Sequence, residues 1–262
     1  MRLRVGFRGQ EVGAPQITTN PSYYDTFSGS SIDTTRWFGG GMCEWNALEW
    51  VREIKNGGLR LALRNVGDTS SDSGLEFADT HLSFVNPSGI YSIVADVTLR
   101  EFSGIVCPAS YDQPTDAIVK LEGIFFNTGS LNPADDVVDD VYLWADPTIP
   151  GMMQVGNWLW GSGLALGTDM GYYPIGTPLT LTNVWDKVNH RFVSNVKIKG
   201  KPGPGVTVTV PYSVSDTAPP AVPLKRLIAD VYSQNCASVH TFAQAEARFD
   251  NVMINVPPPP TH

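Results

Sequence analysis

Apolar and polar residues alternate with period two along much of this chain, the spacing of strands whose two faces meet different surroundings. In 58–64, Leu59, Leu61 and Leu63 share one side while Arg60 and Arg64 share the other. Ile93, Ala95, Val97 and Leu99 alternate with Asp96, Thr98 and Arg100. Phe192, Val196 and Ile198 oppose Asn195, Lys197 and Lys199. Residues 206–210 alternate valine with threonine, directly after the turn signal Pro202-Gly-Pro-Gly205.

Segments 118–126 and 137–145 read as two further strands, separated by Asn127-Thr-Gly-Ser130 and Asn132-Pro133. In the second, Asp140, Tyr142 and Trp144 share one face, and Val141 and Leu143 the other. An acid beside two aromatics on one face is what a sugar-binding surface needs. The last strand changes phase. Ala243, Ala245, Ala247 and Phe249 hold odd positions, whereas Val252, Ile254 and Val256 hold even ones. A one-residue slip at Asp250-Asn251 predicts a β-bulge.

Residues 224–256 contain neither Gly nor Pro, which leaves room for a short helix at 224–236. No helical stripe lasts three turns, and 25 Gly with 20 Pro in 262 residues leave little space for long helices. Many short strands broken by turn residues predict an all-β fold, a two-sheet antiparallel β-sandwich of the jelly-roll type. The expected boundaries are an N-terminal extension over 1–22, one jelly-roll domain over 23–256 and a Pro-rich tail over 257–262. The tail reads as a polyproline II spacer, so a further domain is expected beyond it.

Charge narrows the partners. Net charge is -8, and 101–150 alone holds nine acids against Lys120. Without a basic stripe the chain is a poor nucleic-acid binder, because phosphate affinity needs Lys and Arg. No apolar run approaches the ~18 residues of a membrane span. Cys43, Cys107 and Cys236 fit no zinc or redox spacing; at most one disulfide can form among them, its pairing left open by the sequence, and buried thiols are the favoured reading. The basic N-terminus lacks the apolar stretch of a signal peptide.

Tyr24-Asp-Thr-Phe-Ser-Gly-Ser-Ser-Ile-Asp-Thr-Thr-Arg-Trp37 resembles the opening of concanavalin A-like lectin/glucanase domains, through Asp25, Phe27, Ser28, Gly29, Ile32, Asp33 and Trp37. Asn56-Gly-Gly-Leu-Arg-Leu-Ala-Leu63 is similar to that family's second strand, 175–192 to its later hairpin and Phe249-Asp-Asn-Val252 to its closing strand. The resemblance implies a concanavalin A-like jelly roll with both end strands in one sheet, and an extracellular or cell-surface location. It also implies a structural calcium near the termini, with Asp25 and Asp250 as its carboxylates. Calcium takes 6–8 oxygen ligands, several of them backbone carbonyls. The competing reading has Asp250 and Asn251 satisfying the bulge's free backbone groups.

Glucanases of that family carry Glu-x-Asp-x-(x)-Glu on a concave strand, and retaining hydrolysis needs carboxyl groups only ~5–5.5 Å apart. No copy of that motif occurs here. Glu44-Trp-Asn-Ala-Leu-Glu49 has Asn46 at its centre and falls too early, and Asp135-Asp-Val-Val-Asp-Asp140 has Val137 there. The candidate catalytic acids are therefore Asp140 with Glu122, Asp135, Glu44 or Glu49. For sugar contact the candidates are Trp144, Tyr142, Trp158, Trp160 and Tyr172. Trp158 and Trp160, two apart, share a face if extended, while Trp37 and Trp185 read as core. The leading expectation is a non-catalytic, lectin-like module that binds an oligo- or polysaccharide. The alternatives are a glycoside hydrolase and a structural or adhesive module without a sugar site.

Overall fold

The computed structural model describes residues 22–41, 47–68, 75–105, 107, 115–145, 147–236 and 239–259. Cys43, Glu44, nearly all of the N-terminal extension and the last three residues of the tail lie outside them.

The alternating segments form two antiparallel sheets. The strands in chain order are β1 (Tyr23–Asp25), β2 (Trp37–Gly40), β3 (Ala47–Ile54), β4 (Leu59–Val66), β5 (Leu75–Phe84), β6 (Ser92–Ile105), β7 (Asp116–Asn127), β8 (Asp136–Ala145), β9 (Met152–Gly161), β10 (Leu164–Pro174), β11 (Leu179–Asp186), β12 (Arg191–Ile198), β13 (Val206–Pro211), β14 (Leu224–Gln234) and β15 (Phe242–Ile254). One sheet has the order β13–β12–β11–β6–β15–β4–β3, with the short β1 also paired to β15. The other has the order β10–β9–β8–β7–β14–β5–β2. Both end strands, β1 and β15, thus lie in the same sheet.

Period two explains the core. Leu59, Leu61 and Leu63 of β4 and Ala95, Val97 and Leu99 of β6 point between the sheets. There they meet Ala117, Val119 and Leu121 of β7, Val141 and Leu143 of β8, and Leu227, Ala229 and Val231 of β14. A second cluster fills one end of the sandwich, with Phe125, Phe126, Phe192 and Tyr212 at its centre and Trp185 packed against it.

Residues 224–234 form a strand rather than the short helix that their lack of Gly and Pro allowed. β14 lies between β7 and β5, with Leu227, Ala229 and Val231 inward and Arg226, Asp230 and Tyr232 outward. That alternation is a strand signal, and lack of breakers permits either element. Tyr172 and Tyr173 are part of β10. His190 lies between β11 and β12. It ends a 3₁₀ turn at φ 48° and pairs with Asp216 at 3.2 Å.

The predicted bulge is present. The β15–β6 register slips between Asp250 and Met253, and Asn251 takes φ 50°. The Asn251 backbone N–H donates to Asp250 Oδ1 at 2.7 Å, and its side-chain amide donates to Asp96 Oδ2 at 2.8 Å. Asp250 thus satisfies one backbone group of the bulge, and Asn251 ties it to β6. Cys107 and Cys236 are buried free thiols.

Candidate functional site

The outer face of the seven-stranded sheet carries what the core face excludes. Register aligns Arg226, Glu122, Asp140 and Trp158 in one row across β14, β7, β8 and β9. The next row holds Lys120, Tyr142 and Gly156, and the one after it Asp230, Ile118, Trp144 and Gln154. Even-numbered residues of β8, β9 and the part of β7 before its register shift at Ile124–Phe126 share this face, because each strand flips its side chains with period two.

An open cleft of about 390 Å³ lies over these rows, lined by Ile118, Lys120, Asp140, Tyr142, Trp144, Gln154, Trp158 and Trp160. Trp158 and Trp160 remain 42% and 41% exposed on the strand, while Leu159 between them is fully buried. Glycines in the neighbouring strands let the rings lie low. A Cβ on Gly167, opposite Trp158, would come within 2.5 Å of its ring, and one on Gly156 within 2.4 Å of the Tyr142 hydroxyl. Trp144 is held at the edge by its indole N–H, which donates to Asp116 Oδ2 at 2.7 Å.

The floor is charged. Lys120 Nζ lies 3.1 Å from both Glu122 Oε2 and Asp230 Oδ2, and Arg226 Nε donates to Glu122 Oε1 at 2.6 Å. Burial opposes ionisation of Glu122, but the two cations prevail and hold its carboxyl below the ordinary range. Asp140 stands directly opposite Glu122 across the β7–β8 ladder, with a different balance. Burial pushes its carboxyl up to about 7, against the pull of Lys120 and of a hydrogen bond from the Trp160 side chain. Burial likewise raises Asp230 to about 6. Asp140 is only 5% exposed, and its Oδ1 has no hydrogen-bond partner within the protein. Buried polar atoms are nearly always paired, and this unpaired oxygen is enclosed beneath the cleft that Asp140 lines.

The expected sugar contacts thus converge: Trp144, Tyr142, Trp158 and Trp160 line one cleft around Asp140. Tyr172, 48% exposed, stands beside it on β10 opposite Gln154. Of the expected acids among the described residues, only Glu122 joins Asp140. Asp135 ends a 3₁₀ turn before β8 and accepts a 2.6 Å hydrogen bond from Ser130. Glu49 sits exposed on the edge strand β3, in a separate hollow with Arg60, Glu101 and Glu246. Sequence reading missed Lys120, Gln154 and Asp230 as parts of this face. The even spacing of Lys120 and Glu122 was a usable signal, whereas Asp230 was hidden by the helical reading of its segment.

Asp25 and Asp250 come near each other where β1 pairs with the end of β15. Both Asp25 oxygens are engaged, Oδ1 by the Phe27 backbone N–H at 2.7 Å and Oδ2 by the Trp37 indole N–H at 2.8 Å. Lys199 Nζ lies 2.8 Å from Asp96 Oδ2 and 3.9 Å from Asp250 Oδ2. As arranged, these carboxylates fit N–H donors and an ammonium rather than a shared calcium, which would have to displace them. Among the described residues no cluster of three His, Cys, Asp or Glu side chains could hold a metal.

No family model and no curated protein matches the chain. Solved structures do. A kappa-carrageenase from Pseudoalteromonas carrageenovora, in complex with a kappa-carrageenan oligosaccharide, is 8% identical with a TM-score of 0.40, covering 92% of this chain and 99% of its own. Winged bean acidic lectin, complexed with methyl-α-D-galactose, is 12% identical with a TM-score of 0.37, covering 82% and 99%. A legume lectin-like domain from Entamoeba histolytica is 6% identical with a TM-score of 0.36, covering 82% and 89%. Likenesses of this degree leave the chain's function to be read from its own residues.

Proposed function

We propose that the chain is a non-catalytic carbohydrate-binding module that takes an oligo- or polysaccharide in the cleft of the seven-stranded sheet. The observation that carries this reading is the pair of half-exposed indoles, Trp158 and Trp160, beside the buried and unpartnered Asp140 Oδ1. Indole faces suit the apolar faces of sugar rings, and a carboxyl with a free oxygen orients a hydroxyl. The open, shallow form suits a chain lying across the strands. In this reading the module belongs to a larger secreted or cell-surface protein. No helix of the described residues is long and apolar enough to cross a membrane.

A hydrolase reading has one observation in its favour. Asp140, with its raised pKa, faces the ionised Glu122 across one ladder, and such a split pair is how glycosidases divide acid from nucleophile. Glu122, however, spends both oxygens on Lys120 and Arg226, which leaves it a poor nucleophile. Binding is therefore the preferred reading.

The test is titration against a panel of soluble and insoluble polysaccharides, with reducing ends assayed in the same tubes. Retention without new reducing ends is expected. Trp158→Ala and Trp160→Ala should each weaken binding by about tenfold or more with the fold intact. Unchanged affinity in both variants overturns the cleft assignment, release of reducing ends restores the hydrolase, and silence across the panel favours a structural or adhesive module.

A further inference from the structure

On the core side of β7 and β14, away from the aromatic cleft, a second hollow of about 420 Å³ opens at the end of the sandwich. Its walls are Phe125, Trp185 and a proline-rich segment preceding β14, and no Asp or Glu lines it. Lys225 lines it and is only 3% exposed. Its Nζ donates to the Ile124 carbonyl at 2.5 Å and lies 4.3 Å from the Phe125 ring centroid, and it has no ion pair among the described residues. The lysine stem runs over Gly123, its register partner on β7. A Cβ there would meet Lys225 Cδ at 2.6 Å and Phe125 Cε2 at 2.8 Å. The sequence thus spends a glycine on placing an amine where burial gives it no counter-ion.

We propose that Lys225 is a covalent site, its amine condensing with a small aldehyde whose apolar or aromatic body fills the hollow beside Phe125 and Trp185. The Nζ lone pair attacks the carbonyl carbon and a C–N bond forms. The carbonyl oxygen leaves as water, carrying away the two amine hydrogens, and an imine remains. No oxidant or reductant is consumed. Desolvation in an apolar pocket is a recognised way of activating lysine for this step. Here burial lowers the Lys225 ammonium to about 7. The other titratable groups lining the hollow are Lys187 and Tyr91; Lys187 Nζ lies 5.3 Å from the centroid of the Trp185 ring.

The experiment treats the full chain with benzaldehyde and sodium cyanoborohydride, then maps benzyl adducts over its seven lysines. At pH 7, Lys225 should be labelled about 100-fold faster than an exposed lysine, whose pKa stays near ~10.4. Its rate should rise with pH and level off above about 7, and excess benzyl alcohol should slow it by occupying the hollow. Lys225→Arg should remove this adduct and leave the others. Adducts spread over the exposed lysines with Lys225 silent, labelling of Lys225 only after denaturation, or indifference to benzyl alcohol would each overturn the proposal. The wild-type peptide map decides the matter even where the variant fails to fold.

Discussion

Asp139 and Asp140 are consecutive residues on β8, and they face opposite sides of one sheet. Both are buried, and burial pushes both carboxyls upward. Their company differs. Asp139 points between the sheets, where Asn157 Nδ2 reaches its two oxygens at 3.0 and 3.1 Å. The same amide contacts Ser194 Oγ at 2.9 Å, tying β9 to β12 of the opposite sheet. Asp140 points into an open cleft with one oxygen unclaimed. A perturbed carboxyl alone therefore does not identify a site. What it faces separates the two: Asp139 is a cross-sheet tie, while Asp140 lines an open cleft.

Asp139→Ala should break the comparison most severely. It removes the carboxylate that the Asn157 amide meets in the core, leaving that amide Ser194 Oγ and the Asp140 carbonyl, and should cost about 2 kcal/mol in urea unfolding, with sugar affinity retained in the protein that remains folded. A loss of affinity with stability intact would reverse the two roles.

Asp140→Asn should do the opposite, weakening binding about tenfold at pH 7 with little change in stability there. It should also alter the pH profile. A carboxyl raised in the folded state keeps a proton that the unfolded chain has released, so stability falls as pH rises from about 4 to about 7. Urea midpoints at intervals across that window should fall less steeply in Asp140→Asn than in the wild type. Parallel profiles would show that Asp140 is not protonated in the fold.

The smallest effect is expected at a third set of carboxylates. Asp96 and Asp250 already share Lys199, so added calcium followed by a chelator should move the Tm by less than about 1 °C. A rise of several degrees, lost in Asp250→Asn, would establish the calcium site that the opening motif implied.

Much of the fold was legible because period-two alternation is a local property. It gave β4, β6, β7, β8, β12 and β13, and the phase slip gave the bulge at Asp250-Asn251. The failure at β14 has a definite cause. Leu227, Ala229 and Val231 do alternate with Arg226, Asp230 and Tyr232, but Lys225 among the inward positions and Ile228 among the outward ones interrupt the pattern.

The site was legible only as separate groups. Spacing alone put Asp140, Tyr142 and Trp144 on one face, and Trp158 with Trp160 on another. That the two groups form a single cleft depends on the β8–β9 register, which sets Trp158 beside Asp140. Pairing also decided which acids meet: Glu122 and Asp230 flank Lys120 on one sheet face, while Asp135 and Glu49 lie elsewhere. The sequence by itself determined the strands, their faces and the supply of aromatics and acids, because side-chain direction follows from backbone geometry. Only tertiary structure decided which carboxyl finds a partner and which amine has none, because desolvation and pairing arise where distant strands meet.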